Sequence, residues 1–216
     1  MNENRIEKKF VFGKYQEDYL EKILISKGFI KSFSPRNISS IYLDTINFDF
    51  AKDNINGVSK RKKIRFRWYN DDFSKVFLEE KNKQNFLVKK NISKAITFKT
   101  SQNLLKNLQK YFFSLNKFYN NFNYRFVLKT NYLRSYWVNN QNNIRATIDT
   151  NLKASPCNDL NHKLDLNETI LEFKFSPYNE EFFRTAFAQN NFNIRSKKYS
   201  KYLHAFNILE ESGLIN

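Results

Sequence analysis

Lys63-Ile64-Arg65-Phe66-Arg67-Trp68 decides how this chain folds. Side chains alternate between the two faces of a β-strand with period two, so Ile64, Phe66 and Trp68 share one face while Lys63, Arg65 and Arg67 share the other. A strand of this kind buries one side and aims three cations the same way. Ile144-Arg145-Ala146-Thr147-Ile148-Asp149 repeats the arrangement, with Arg145, Thr147 and Asp149 on the polar side. Leu171-Glu172-Phe173-Lys174-Phe175 repeats it again, and there the polar pair is Glu172 and Lys174.

Working outward, period-two or β-rich segments predict further strands at about 4–12, 38–44, 76–83, 85–91, 124–130 and 131–138. Helical spacing appears between them. Tyr19, Leu20, Ile23 and Leu24 predict a helix at about 16–27 with Gly28 as its stop. Leu104, Leu105 and Leu108 predict a second at about 101–113, and Phe182, Phe183, Ala186 and Phe187 a third at about 179–190. Tyr199, Tyr202, Leu203, Phe206 and Leu209 predict a fourth at the C-terminus. The fold class expected is α+β, a closed antiparallel β-barrel of about eight strands with flanking helices. Apolar strand faces would pack under the helices and polar faces would line the lumen, where like charges are costly unless an anion neutralises them.

The 216 residues include 23 Phe and 12 Tyr against four Gly and three Pro, enough apolar bulk for a sizeable core and no Gly/Pro-rich linker. A single domain over 1–216 is expected. A formal charge of +16 attracts polyanions over about 8–10 Å at physiological salt. Cys157 is the only cysteine, which excludes an internal disulfide, and no Cys/His spacing suits zinc. Residues 1–9 carry no apolar signal segment and no run is long enough to span a membrane, so a cytoplasmic protein is expected. There is no G-x-x-x-x-G-K-[ST] loop and no G-x-S-x-G elbow. His162, His204 and Cys157 are expected to be structural or inert.

Phosphate chains are held best by arginine forks, with lysines as point charges. A divalent ion that bridges phosphate oxygens needs oxygen ligands, which gives an inward glutamate a purpose. Glu7, Glu79 and Glu172 are the candidates, each followed two residues on by a lysine on the same face: Lys9, Lys81 and Lys174. Arg65 and Arg67 interleave with aromatics, as in an RNA-stacking strand. Alternation sends Phe66 and Trp68 to the opposite, core-like face, and no nucleic-acid partner is expected. Arg65→Ala or Arg67→Ala is expected to abolish triphosphate binding at little cost to folding.

Six short motifs in order carry a family resemblance: Arg5-Ile6-Glu7-Lys8-Lys9, Ser40-Ile41-Tyr42-Leu43-Asp44, Lys63-Ile64-Arg65-Phe66-Arg67, Phe77-Leu78-Glu79-Glu80-Lys81, Ile144-Arg145-Ala146-Thr147-Ile148-Asp149-Thr150 and Leu171-Glu172-Phe173-Lys174. Together they resemble the VTC domain, the polyphosphate polymerase domain of the vacuolar transporter chaperone family. That family belongs to the triphosphate tunnel metalloenzymes, related to the CYTH phosphatases. The resemblance implies a metal-dependent transfer of the γ-phosphate of ATP to inorganic polyphosphate. It assigns Arg65, Arg67, Arg134, Arg145 and Lys81 as catalytic cations, and Lys9, Lys89, Ser200 and Lys201 as phosphate-binding residues. Glu172 would hold Mn²⁺ or Mg²⁺; Asp149, judged by its strand face alone, is expected to contact the metal or one of its ligands. Arg5 stands where the CYTH relatives have the first glutamate of Glu-x-Glu-x-Lys, which favours a polymerase over a phosphatase. A triphosphatase of the CYTH type and a non-catalytic polyphosphate or inositol-phosphate binding module are the alternatives. The 216 residues carry neither a phosphate-sensing domain nor membrane helices, so transport is expected to need a separate membrane-protein partner.

Overall fold

The structure, a computed structural model, describes residues 5–85, 87–98, 102–115, 123–141, 143–187 and 195–215. The strands among these residues are β1 (Ile6–Gly13), β2 (Ile30–Thr45), β3 (Lys60–Tyr69), β4 (Phe77–Gln84), β5 (Leu87–Ile92), β6 (Tyr124–Asn139), β7 (Ile144–Pro156), β8 (Leu164–Asp165) and β9 (Glu168–Phe175). The α-helices among the described residues are α1 (Glu17–Ser26), α2 (Asp49–Ile55), α3 (Leu104–Ser114), α4 (Glu180–Phe187) and α5 (Lys201–Glu211). The hydrogen-bonded order is β1-β9-β7-β6-β2-β3-β4-β5, with β8 on β7. The ladders β1–β9, β9–β7, β2–β3, β3–β4 and β4–β5 are antiparallel. The expected antiparallel α+β sheet with flanking helices is what the chain forms. Among the described residues, no ladder joins β5 back to β1.

Two compact units emerge, one drawing on residues up to Arg36 with Tyr132–Leu152 and Asp165–Tyr199, the other on Asn37–Asn131, Lys153–Leu164 and Ser200 onward. In the first unit the apolar sides of β1, β7 and β9 pack under α1 and α4. Phe10, Ala146, Ile148, Leu171, Phe173 and Phe175 meet Leu20 and Leu24 of α1 and Phe183 and Phe187 of α4. Phe173 sits at the centre, its ring 4.6 Å from that of Phe187 and 5.0 Å from that of Phe183. α1 stops as its glycine requires: Gly28 takes φ +76°, Gly28 N donates to Ile25 O and Phe29 N to Leu24 O, the paired bonds of a Schellman turn. Further along the chain, Lys197 N donates to Lys9 O at 2.9 Å, and the Tyr199 hydroxyl donates to Glu168 Oε2 at 2.6 Å. Residues 195–199 therefore run beside β1. The expected extension of α4 through 188–190 lies outside the described residues.

In the second unit Ile64, Phe66 and Trp68 are all at most 1 % exposed. They pack with Ile41, Leu43, Leu78 and Phe126 and with Leu108 and Phe112 of α3. α2 falls where no helix was expected, and its first turn is organised by Asp44. That buried carboxylate accepts from Thr45 N (2.7 Å), Phe50 N (2.9 Å) and Ala51 N (3.0 Å), and from the Tyr202 hydroxyl of α5. Asp44→Ala strands several buried donors at once, at about 1–3 kcal/mol for each unsatisfied group. A drop of about 3 kcal/mol in chemical unfolding is expected, with less than half of it for Asp44→Asn.

Candidate functional site

Register explains the charges of the second unit. Across β3, β4 and β5, Lys63 pairs with Lys81 and Lys81 with Lys90, so three lysines stand in one row. Like charges directly opposite one another on a sheet are destabilising. The next row sets Arg65 against Glu79, with Tyr42 of β2 on the other side of Arg65, and Arg67 is paired with Ser40. Glu79 is therefore the carboxylate at the centre of a cationic face. It is 6 % exposed. Arg65 Nε and Nη2 both reach its Oε2, at 2.7 and 2.6 Å; Arg67 Nη1 lies 3.9 Å from the same oxygen, and Lys90 Nζ takes Oε1 at 3.0 Å. Burial pushes the Glu79 carboxyl up, but Arg65, Arg67 and Lys90 outweigh it and hold the group at about 2.

The hydroxyls of β2 complete this face. Arg67 Nε donates to Ser40 Oγ at 3.1 Å and Arg65 Nη1 to the Tyr42 hydroxyl at 3.2 Å. Lys63 Nζ donates to Ser200 Oγ at 2.7 Å. Ser200 caps α5, accepting from Leu203 N, and Lys201 begins that helix. The expected Ser200 and Lys201 thus sit at a helix N-terminus, where the backbone itself favours anions. Lys89 does not join them: it is paired with Asn82, on the face of β5 opposite Lys90. Lys90 is the lysine that shares the row of Lys63 and Lys81. Phe66 and Trp68 are buried beneath this strand, which removes the aromatic platform an RNA-binding strand would need.

In the first unit, the polar side of β1, β9 and β7 carries the other candidates. Lys9 pairs with Glu172 and Glu172 with Thr147; in the adjacent row Glu7 pairs with Lys174 and Lys174 with Arg145. Glu172, 7 % exposed, lies 2.7 Å from Lys174 Nζ and 3.9 Å from Lys9 Nζ. Burial raises its carboxyl, yet Lys174, Lys9 and Arg134 hold it at about 2. Lys9 also contacts Glu7 Oε1 at 2.6 Å and donates to Tyr199 O at 3.2 Å. Arg134 grips Asp149 with both edges of a fork, Nε to Oδ1 at 2.6 Å and Nη2 to Oδ2 at 2.7 Å. Asp149 is fully buried, so it anchors Arg134. Arg145 is exposed, on the same face as Glu172.

Among the described residues, no group of three or more His, Cys, Asp or Glu side chains is placed to hold a metal. Glu172 and its diagonal neighbour Glu7 are the carboxylates of the first unit's lysine-bearing rows. Thr147 Oγ1, on the strand position paired with Glu172, is buried without a hydrogen-bond partner. This suits an ion such as Mg²⁺ or Mn²⁺, which needs one or two protein carboxylates and takes its remaining oxygens from phosphate and water. Cys157 plays no part in such chemistry. Burial pushes its thiol up to about 12, so it stays protonated.

Comparison with solved structures gives the same fold at low identity. A candidate adenylyl cyclase from Hippeastrum with a dominant triphosphatase activity matches with a TM-score of 0.57 and 14 % identity, over 98 % of this chain and 97 % of its own. A candidate adenylate cyclase from Vibrio parahaemolyticus matches with a TM-score of 0.54 and 13 % identity, over 96 % and 99 %. A protein from Pyrococcus horikoshii matches with a TM-score of 0.53 and 16 % identity, over 96 % and 99 %. These likenesses bear out the expected fold class. No curated protein sequence matches the chain. No helix among the described residues is long and apolar enough to cross a membrane. The sequence matches the VTC domain over residues 4–210, nearly its whole length, and the chain belongs to that family.

Proposed function

We propose that this chain is a polyphosphate polymerase, which moves the γ-phosphoryl group of ATP to the terminal oxygen of an inorganic polyphosphate chain. A new P–O bond forms at the γ-phosphorus as its bond to the β,γ-bridging oxygen breaks, and ADP leaves. The observation that carries the reading is the row Lys63–Lys81–Lys90 beside Arg65 and Arg67, with Glu79 as the carboxylate at its centre. A row of lysines held opposite one another is costly in an empty chain and is relieved by a linear polyanion lying across it. Membership of the VTC domain family supports the same substrate class.

Arg65 and Arg67 hold phosphate oxygens, Lys63, Lys81 and Lys90 neutralise the chain, and Ser200 and Lys201 add the N-terminus of α5. Glu172, assisted by Glu7, is the residue to hold Mn²⁺ or Mg²⁺, and Lys9 and Lys174 are the ammonium groups that ion would displace. A divalent ion held by Glu172 would supply charge neutralisation to a phosphate bound beside it. No protein nucleophile is required; the side chains position and stabilise charge.

The fold shared with the Hippeastrum protein, described by its triphosphatase activity, supports a second reading, hydrolysis of a triphosphate in place of chain growth. Purified protein incubated with ATP and Mn²⁺, and separately with Mg²⁺, distinguishes the two by polymer length on a gel and by released orthophosphate. Polymer of increasing length with ADP is the expected result. Orthophosphate without polymer selects the triphosphatase, and neither product under either metal overturns both.

A further inference from the structure

Tyr42 is 4 % exposed, and its hydroxyl accepts a hydrogen bond from Arg65 Nη1 at 3.2 Å. No residue among those described accepts the phenol's own hydrogen. A buried hydroxyl with an idle donor is uncommon, since buried polar groups are nearly always paired. Its position is fixed from two sides. The ring stacks on Tyr202 with centroids 5.1 Å apart, and Tyr202 is held in turn by its hydrogen bond to Asp44. The Arg65 guanidinium lies 5.9 Å from the Tyr42 ring centre. Burial pushes the phenol up, but Arg65, Arg67 and Lys201 bring it below its ordinary value, which makes it a stronger hydrogen-bond donor. Anionic oxygens are the acceptors that such surroundings draw in.

We propose that Tyr42 is a phosphate-binding residue, a neutral donor whose phenol hydrogen bonds an oxygen of the phosphate chain held by Arg65. This assignment rests on the proposed binding of linear phosphates. It adds to the cations a contact with no charge of its own, and that difference is measurable. Tyr42→Phe deletes the hydroxyl and keeps the ring on Tyr202. Titration calorimetry with inorganic tripolyphosphate, repeated at several salt concentrations, is the test, alongside a thermal melt. The variant is expected to bind about tenfold more weakly, with the salt dependence of wild type and a melting temperature within about 2 °C of it. Affinity within about twofold of wild type overturns the assignment. So does a loss accompanied by a shallower salt dependence, because Tyr42 would then act only by placing Arg65. A wild-type chain with no affinity for tripolyphosphate overturns the parent reading, and this one with it.

Discussion

Glu172→Gln is expected to lose at least about a hundredfold of metal-dependent turnover, the scale on which removing one charge-stabilising group acts at a phosphoryl- or acyl-transfer centre. The substitution keeps the side chain's size and leaves Lys9 and Lys174 without the carboxylate they share. Tripolyphosphate binding measured without metal should be unchanged or tighter, since the variant presents one more unit of positive charge to the anion. The metal concentration for half-maximal turnover should rise steeply. Turnover within about threefold of wild type would remove Glu172 from the role of metal ligand.

Glu79→Gln is expected to destabilise the ligand-free chain by about 3 kcal/mol, because it leaves Arg65, Arg67 and Lys90 without their shared carboxylate. For a chain of this size the melt should fall by roughly 6–12 °C. Added tripolyphosphate should return part of that stability by supplying the missing negative charge. The same geometry revises the expectation for Arg65: Arg65→Ala weakens phosphate binding and also costs stability, since the Glu79 carboxylate loses its two shortest contacts. Acid should act on both carboxylates. Glu79 and Glu172 lie near 2 in the folded chain against an ordinary 4.5. A depressed carboxyl contributes stability that is complete above the unfolded value and fades as pH falls through the folded one. Unfolding titrations should therefore show stability draining between about pH 4.5 and 2, with a smaller acid loss in Glu79→Gln.

Faces were legible in the sequence wherever alternation was unbroken. Lys63-Ile64-Arg65-Phe66-Arg67-Trp68 reads directly as a polar side over a core, and so it stands. Lys89 and Lys90 were not separable in this way, because two adjacent lysines satisfy either face. The turn decides between them. Gln84 pairs with Leu87, Asn85 takes φ +55°, and counting along the ladder from that pair places Lys90 opposite Lys81. The two strands expected at about 124–130 and 131–138 are one continuous strand, β6. α2 was invisible to periodicity: it is seven residues long, and what fixes it is the distant hydroxyl of Tyr202 meeting Asp44. Nothing in the sequence singles out Tyr42, since its idle hydrogen follows only from Arg65 donating to its oxygen.

The short run of backbone beside β1 bears on how the protein behaves in a concentrated solution. β1 ends the hydrogen-bonded order, and a terminal strand with open amides and carbonyls is a template on which another chain can zip. Lys197 N already occupies Lys9 O, and the run that delivers it carries Arg195, Lys197 and Lys198 exposed. A second copy approaching that margin meets an occupied carbonyl and a row of positive charges. At the other end of the order, β5 shows exposed Lys89 and Lys90, so both margins repel their own kind. Salt screens such repulsion, so the chain's resistance to self-association should fall as ionic strength is raised.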